Sequence, residues 1–313
     1  MGKYIAKRLV LLIFTLMGVM IILFGMIYLI PGDPAVIMLH QRVNPESKAL
    51  IIHRLGLDQP MLIRFGRYFW GVLHGDFGVY VMTNRAVLPE LLRVLPYTLG
   101  LATFAMGISI IIGVTLGILA AFYKDTLFDH IVTVLSTAAV SMVDYVAALI
   151  LLLIFAVKLD WFPSLGIGER GNIIDQLYHL ILPASALAIS WVGYIERLVR
   201  ESLGEVLSSD YIKTARLFGI PKSSIVYKYA LRNAAKAVVT VVGLGWGVLL
   251  GGAVFIEIIF NRLGLGKSII QALYSREYFA AQGGILVIVI LFVGVVIIVD
   301  IICAYIDPRI RLR

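Results

Sequence analysis

Six stretches of the chain are long, apolar and almost free of charge, and polar or charged segments separate them. The first follows Lys3, Lys7 and Arg8 and runs uncharged from Leu9 to Ile30, ending at Pro31-Gly32-Asp33-Pro34. A secretory signal has a shorter apolar core, about 7–15 residues, and a small-residue cleavage site. This run is long enough to cross a bilayer and predicts an uncleaved helix. Of the others, Tyr97–Tyr123 is uncharged and Ile131–Val157 carries only Asp144. Leu180–Ile195 is short and begins around Pro183, Val238–Ile256 is rich in glycine, and Gly284–Val299 is again uncharged and extends toward Ile306. A helical span needs about 17–25 residues, which all but the fourth approach or exceed. Barrel strands would be about 10 residues long with alternating polarity. The pattern predicts an all-α membrane protein with six transmembrane helices and both termini on one side.

Composition excludes the soluble alternative. Apolar residues make up 60% and charged residues 15% of the chain, against about 45–50% and about 25% in soluble proteins. Such a chain lacks the polar surface to cover itself, and it is too apolar to stay disordered. Cys303 is the single cysteine, so neither a disulfide framework nor a multi-cysteine metal site is expected.

The net charge of +8 would suggest nucleic acid in a soluble chain. Here its distribution carries topology. With the N-terminus inside, the short inner segments hold 15 Lys/Arg: Lys3, Lys7 and Arg8, then Lys124, eight from Arg197 to Lys236, and Arg309, Arg311 and Arg313. The short outer loops hold five: Lys158, Arg170, Arg262, Lys267 and Arg276. The remaining seven lie in residues 31–95, a segment just long enough to escape the charge rule. The bias places both termini in the cytoplasm, and no nucleic-acid partner is needed.

The expected organisation is an N-terminal transmembrane helix (1–30), an extracytoplasmic segment (31–95), a five-helix membrane core (96–306) containing a cytoplasmic loop (197–237), and a short tail (307–313). Within 31–95, Met61–Gly75 mixes Leu62, Phe65, Tyr68, Phe69 and Trp70 with Arg64 and Arg67. That mixture suits a helix lying in the lipid interface. No internal repeat supports an inverted-repeat transporter.

Catalytic motifs are missing. Gly266-Lys267-Ser268 looks like the end of a phosphate-binding loop, but Asn261 stands where the leading glycine belongs, and the segment falls outside the membrane, away from ATP. The histidines 40, 53, 74, 130 and 179 lack metal-ligand spacing. Gly243-Leu244-Gly245-Trp246-Gly247 lies within a span and lacks dinucleotide spacing; small residues there let helix backbones approach. Neither an enzyme nor a cofactor or metal site is expected, and any uphill transport must draw its energy from other subunits.

The cytoplasmic loop reads Ser209-Asp210-Tyr211-Ile212-Lys213-Thr214-Ala215-Arg216-Leu217-Phe218-Gly219-Ile220-Pro221. Ser209 or Asp210 suits an N-cap, Gly219 a left-handed helix stop, and Pro221 the first turn of a second helix. Lys228, Arg232 and Lys236 would line one face of that helix, where lipid headgroups are the simplest contact.

This helix–glycine–helix arrangement resembles the "EAA" loop of binding-protein-dependent ABC importer permeases, with Lys213, Thr214 and Ala215 at the three positions and Gly219 in register. The missing glutamate departs from the general pattern but looks like the peptide-transport branch, as does Ala230-Leu231-Arg232-Asn233-Ala234. The resemblance runs along the chain through Gly32-Asp33-Pro34-Ala35, Leu55-Gly56-Leu57-Asp58-Gln59-Pro60 and His74-Gly75-Asp76-Phe77-Gly78. It continues through Leu182-Pro183-Ala184, Gly251-Gly252-Ala253-Val254 with Glu257, Gly264-Leu265-Gly266 and Asp307-Pro308-Arg309. The chain is thus similar to the first-type permease subunit of dipeptide, oligopeptide or nickel importers. Two family prolines are absent, near Val143 and at Leu263.

The resemblance implies the type I importer permease fold and a heteromeric machine in a bacterial or archaeal cytoplasmic membrane. Its partners would be a second permease subunit, two cytoplasmic ATPases and an extracytoplasmic solute-binding protein. Tyr211, Lys213, Thr214, Ala215, Arg216, Gly219 and Pro221 would form the surface docked on an ATPase. Peptide is the expected solute, with a nickel or metal chelate as the alternative within the same machine. An ion-coupled secondary transporter would need several intramembrane ionisable groups, and the spans offer Asp144. For Asp144, with Tyr145 beside it, a hydrogen bond to a neighbouring helix, a salt bridge to the partner permease and a pathway role remain open. Trp246 is either a packing residue or part of a hydrophobic gate.

Overall fold

A computed structural model describes residues 2–29, 59–81, 83–169, 171–219, 221, 224 and 231–306. The motifs at Gly32–Ala35, Leu55–Asp58 and Asp307–Arg309, and Lys228 of the second loop helix, lie outside the described residues. The described elements are helical: α1 (Gly2–Leu29), α2 (Met61–Leu73), α3 (Val87–Phe122), α4 (Leu127–Ser141), α5 (Asp144–Leu151, continued as π-helical turns over Leu152–Lys158), α6 (Ile173–Ser208), α7 (Asp210–Leu217), α8 (Leu231–Ile259), α9 (Leu265–Tyr274) and α10 (Tyr278–Ile306).

Among the described residues, α3, α6, α8 and α10 are each long and apolar enough to cross a membrane, α4 and α5 together make one broken span, and α1 contributes the shorter apolar stretch Val10–Met26. All six predicted spans are therefore helical. Their bounds differ from the apolar windows, most of all for the fourth. That helix spans Ile173–Ser208, with Pro183 buried inside it rather than near its start. Its amphipathic ends are too polar to register as membrane in a hydropathy reading, yet hydrogen bonding and packing carry the helix through them.

The third span is the larger departure. Its two halves meet at 106° around Met142 and Val143, both extended, with φ/ψ of −80/127° and −75/133°. The φ of Val143 falls within the range a proline ring would impose, and Met142 has the extended backbone that precedes prolines. Both residues thus hold a proline-compatible extended backbone although neither is a proline.

The chain divides into two compact units. One comprises residues 1–97 and 263–293. Its core joins Met20, Phe77, Val87, Leu91, Leu265, Ala272, Leu286 and Val287, and the α2 face made by Phe65, Tyr68, Phe69 and Val72 packs on it. Those four positions follow the i, i+3, i+4, i+7 spacing of one helix face. The Glu277 carboxylate accepts the Val81 N–H at 2.6 Å, and Gln282 Nε2 donates to the Leu23 carbonyl at 3.1 Å.

The other unit comprises residues 98–262 and 294–313. Here α6 is the central element, flanked by α4, α5 and α8. Backbone approaches at glycine build it: a side chain at Gly117 would press on the Glu196 carbonyl (2.7 Å), one at Gly193 on the Ser136 carbonyl (2.5 Å), and one at Gly245 would overlap the Trp191 ring. Leu187, Ile195, Val199 and Leu203 of α6 and Leu249, Leu250 and Ile256 of α8 are buried.

Candidate functional site

The loop after α6 is built as its sequence suggests. The α6 helix ends at Ser208, Ser209 turns to extended backbone, and α7 begins at Asp210 with the Ile212 N–H donating to the Ser209 carbonyl at 3.1 Å. Ser209 therefore occupies the N-cap position. Thr214 Oγ1 donates to the Asp210 carbonyl at 3.0 Å and the Phe218 N–H to the Thr214 carbonyl at 3.1 Å. Gly219 then takes φ +75° with open space where a Cβ would stand, the left-handed stop expected of it. Pro221 follows as exposed, non-helical backbone.

The candidate docking residues thus share one short helix and its turn. The α7 backbone carries Tyr211, Lys213, Thr214, Ala215 and Arg216; of its side chains, Ile212 is buried and Thr214 exposed. The residues missed by the sequence reading are Leu217 and Phe218, 87% and 81% exposed at the tip. Both are large apolar side chains left uncovered beside a helix stop. Their signal in the sequence was an apolar pair directly before Gly219 in an otherwise polar loop. A family motif centred on Lys213 to Ala215 drew attention away from it.

The root of this loop is braced. Arg200 Nε and Nη2 donate to the two oxygens of Asp129 at 2.6 and 2.9 Å, a bidentate pair that joins α6 to the first turn of α4. Asp129 also accepts the Asp125 N–H at 3.0 Å, which fixes the turn between α3 and α4. One helical turn before Arg200, Glu196 is fully buried. A hollow of about 1000 Å³ opens beside this brace, lined in part by Lys124, Arg200, Glu201 and Glu205.

In the membrane part, the candidates separate. Asp144 opens α5 at the break; its Oδ1 accepts from Ser190 Oγ of α6 at 2.8 Å, while its Oδ2 lies 3.2 Å from where a Cβ on Gly252 of α8 would stand. Tyr145 is exposed, its ring centroid 6.3 Å from that of the exposed Phe255. Asp144 and Tyr145 are thus brought against the same stretch of α8. Trp246 is not part of this cluster. It sits six residues before Gly252, about 9 Å along the axis, and donates from Nε1 to Thr103 Oγ1 of α3 at 3.2 Å. No group of three or more His, Cys, Asp or Glu that could hold a metal ion occurs among the described residues.

Comparison with known proteins places these features in a family. The model of the binding-protein-dependent transport system inner membrane component matches residues 113–312, and the N-terminal model of the same transport-system membrane components matches residues 1–102. The chain is 38% identical to the dipeptide transport system permease protein DppB of Alkalihalophilus pseudofirmus, over 99% of this chain and all of that one. It is 36% identical to DppB of Escherichia coli K12 and 37% identical to a putative peptide transport system permease of Brucella abortus, in each case over 99% of both chains. Among solved structures, an inward-facing MetNI methionine ABC transporter aligns with a TM-score of 0.58 at 18% identity, covering 69% of this chain and 96% of that one.

Proposed function

The chain belongs to the family of binding-protein-dependent transport system inner membrane components, and from that premise we propose that it is one of two permease subunits of an ATP-driven peptide importer. It would line half of the pathway in a bacterial cytoplasmic membrane and perform no chemistry itself. Cytoplasmic ATPases would supply the energy and an extracytoplasmic binding protein the solute. Full-length identity of 36–38% to dipeptide permeases supports the peptide assignment.

The observation that carries the coupling role is the tip of α7, where Leu217 and Phe218 stand exposed beside Gly219. An ATPase groove that covered the two apolar side chains would bury them and grip the helix end. Displacement of α7 would then pass into α6, which precedes it across the single residue Ser209. From Ser208 to Ser190, which bonds Asp144, α6 runs about 27 Å without a proline. The same rigid element would therefore join the ATPase contact to the helix break in the membrane, as alternating access by rigid-body rearrangement requires.

Affinity purification from the native membrane, followed by reconstitution and uptake of a labelled dipeptide, tests the reading. ATPase subunits should copurify in stoichiometric amount, and unlabelled peptide should compete for uptake. Uptake that persists without ATPases and collapses with an ion gradient would overturn it. Competition by nickel chelates but not peptides would change the solute while leaving the machine intact.

A further inference from the structure

We propose that Glu196 is a positioning residue for Arg200: it offers that guanidinium a second carboxylate on α6 itself, so that the contact between α6 and the first turn of α4 opens and closes during transport. The inference deepens the coupling role proposed above and rests on it.

Glu196 is fully buried, and neither of its carboxylate oxygens has a hydrogen-bond partner. The Ser136 hydroxyl of α4 lies near the carboxyl without being aligned to bond it. The helix is tightly enclosed at this turn. A Cβ on Gly117 of α3 would stand 2.7 Å from the Glu196 carbonyl, and one on Gly193 2.5 Å from the Ser136 carbonyl. A carboxyl held there alone is unfavourable in either protonation state, because the anion is unsolvated and the neutral acid leaves polar atoms unpaired. If packing were its whole role, an apolar side chain of the same size would serve better.

The cation that suits it is on the same helix. Residues four apart on a helix share a face, and a glutamate ahead of its basic partner is the favourable order. Arg200 is that neighbour of Glu196, whereas the adjacent Arg197 is exposed. Arg200 is withheld because its Nε and Nη2 donate to Asp129 of α4 at 2.6 and 2.9 Å. One guanidinium thus serves two buried carboxylates, one on each helix.

The two carboxylates are not equivalent. Asp129 also accepts the Asp125 N–H at 3.0 Å and lies in the first turn of α4, where the helix dipole favours negative charge. Glu196 has neither support. Arg200 has room to turn, since its side chain is 30% exposed and lines the hollow of about 1000 Å³. When the α4 turn draws away from α6, Asp129 passes into water, Arg200 turns to Glu196, and no buried charge is left alone. The Asp129–Arg200 pair is in this way a latch whose release is compensated within α6, ten residues before α7 begins at Asp210.

Amide hydrogen exchange over residues 123–129 of the complete complex, reconstituted with its ATPases, reads the latch. In wild type, exchange there should differ at least about tenfold between the nucleotide-free and ATP-analogue states, as loss of a charge-assisted hydrogen bond implies. Glu196→Met fills the same space without a carboxylate, so exchange should stay slow in both states. Its dipeptide uptake should fall by a similar factor, about tenfold, while its thermal midpoint is unchanged or higher. Glu196→Gln, uncharged and nearly isosteric, should behave alike and carries the test if the methionine variant misfolds. Adding Asp129→Asn, which weakens the closed contact, should restore part of the uptake. Wild-type uptake in both Glu196 variants overturns the proposal. So does reduced uptake with wild-type exchange and no rescue by Asp129→Asn, which would mark a residue needed for packing alone. ATP-dependent uptake by the wild-type complex, measured alongside, tests the permease reading separately.

Discussion

Arg200 holds both carboxylate oxygens of Asp129, at 2.6 and 2.9 Å, and the Asp129 side chain is 2% exposed while that of Arg200 is 30% exposed. The pair sits ten residues before α7 and ties the helix that leads into it to the turn at residues 123–126. Removing one partner from a buried pair typically costs about 3–5 kcal/mol, because the other charge is left uncompensated. Arg200→Ala should therefore lower stability strongly, and the double variant Arg200→Ala/Asp129→Ala by much less than the sum of the single changes. A double-mutant cycle of denaturant unfolding in detergent micelles checks this; additive effects would show that the pair is not coupled.

The glycines of α8 are not equivalent. A Cβ at Gly245 would overlap the Trp191 ring and one at Gly243 the Val299 side chain, whereas one at Gly251 would meet nothing within 4 Å. Gly245→Ala should destabilise the chain by about 1–3 kcal/mol, the usual range for overpacking. Gly251→Ala should be neutral or slightly stabilising, since alanine is the better helix former. Thermal unfolding of both variants in one detergent would decide the matter, and equal midpoints would contradict the packing geometry.

That contrast shows what the sequence could and could not carry. That the apolar runs are helices follows from hydropathy, because a bilayer imposes length and polarity directly on the chain. The turn at Gly219 was also legible, because a glycine that closes a helix-compatible run is the usual left-handed stop. The glycine run of α8 said that something packs closely, but not that Gly245 meets Trp191 while Gly251 meets open space. Contacts between helices distant in sequence leave no local pattern. For the same reason Ser190 was invisible as the partner of Asp144, and the buried pair of Thr98 with Glu257 (2.5 Å) was invisible too.

Arg262 gives a test outside the spans. It is 4% exposed and donates from Nη1 to the His179 carbonyl at 2.9 Å. Burial pulls its pKa below the usual arginine value, and the Glu257 carboxylate works against that shift. Glu257→Gln, which keeps a hydrogen-bond acceptor for Thr98, should still lower stability by removing the countercharge. Pairing it with Arg262→Gln should recover part of the loss. Unfolding midpoints of the three variants test this, and no recovery in the pair would mean that the charge of Glu257 is not what Arg262 requires.

At the coupling helix, Gly219→Val places a β-branched residue at φ +75°, a conformation such residues rarely adopt. No neighbour would clash with the new Cβ, so insertion and assembly should survive while the end of α7 rearranges. Peptide uptake and solute-stimulated ATP hydrolysis should both fall. Phe218→Ala, which leaves the backbone alone, should weaken retention of the ATPase by an amount consistent with an interface anchor, about 1–3 kcal/mol. Normal uptake in both variants would remove the coupling role from this loop.

Asp144 makes the most specific demand. An acidic side chain near the bilayer centre costs about 2.5–3.5 kcal/mol on insertion scales, so it needs a partner or a polar cavity. Ser190 satisfies one oxygen, and Gly252 leaves space beside the other. A hydrogen bond to Ser190 would account for the first oxygen; a pathway role would require the charge to meet a positively charged group such as a peptide amino terminus. Asp144→Asn can still accept from Ser190 while losing the negative charge, and assembly and basal ATP hydrolysis should be unchanged. Uptake of cationic peptides should drop more than uptake of neutral ones. If Asp144→Asn carries both classes of peptide as well as wild type does, Asp144 is a packing residue held by Ser190; if the complex falls apart, it is bound to the partner permease instead.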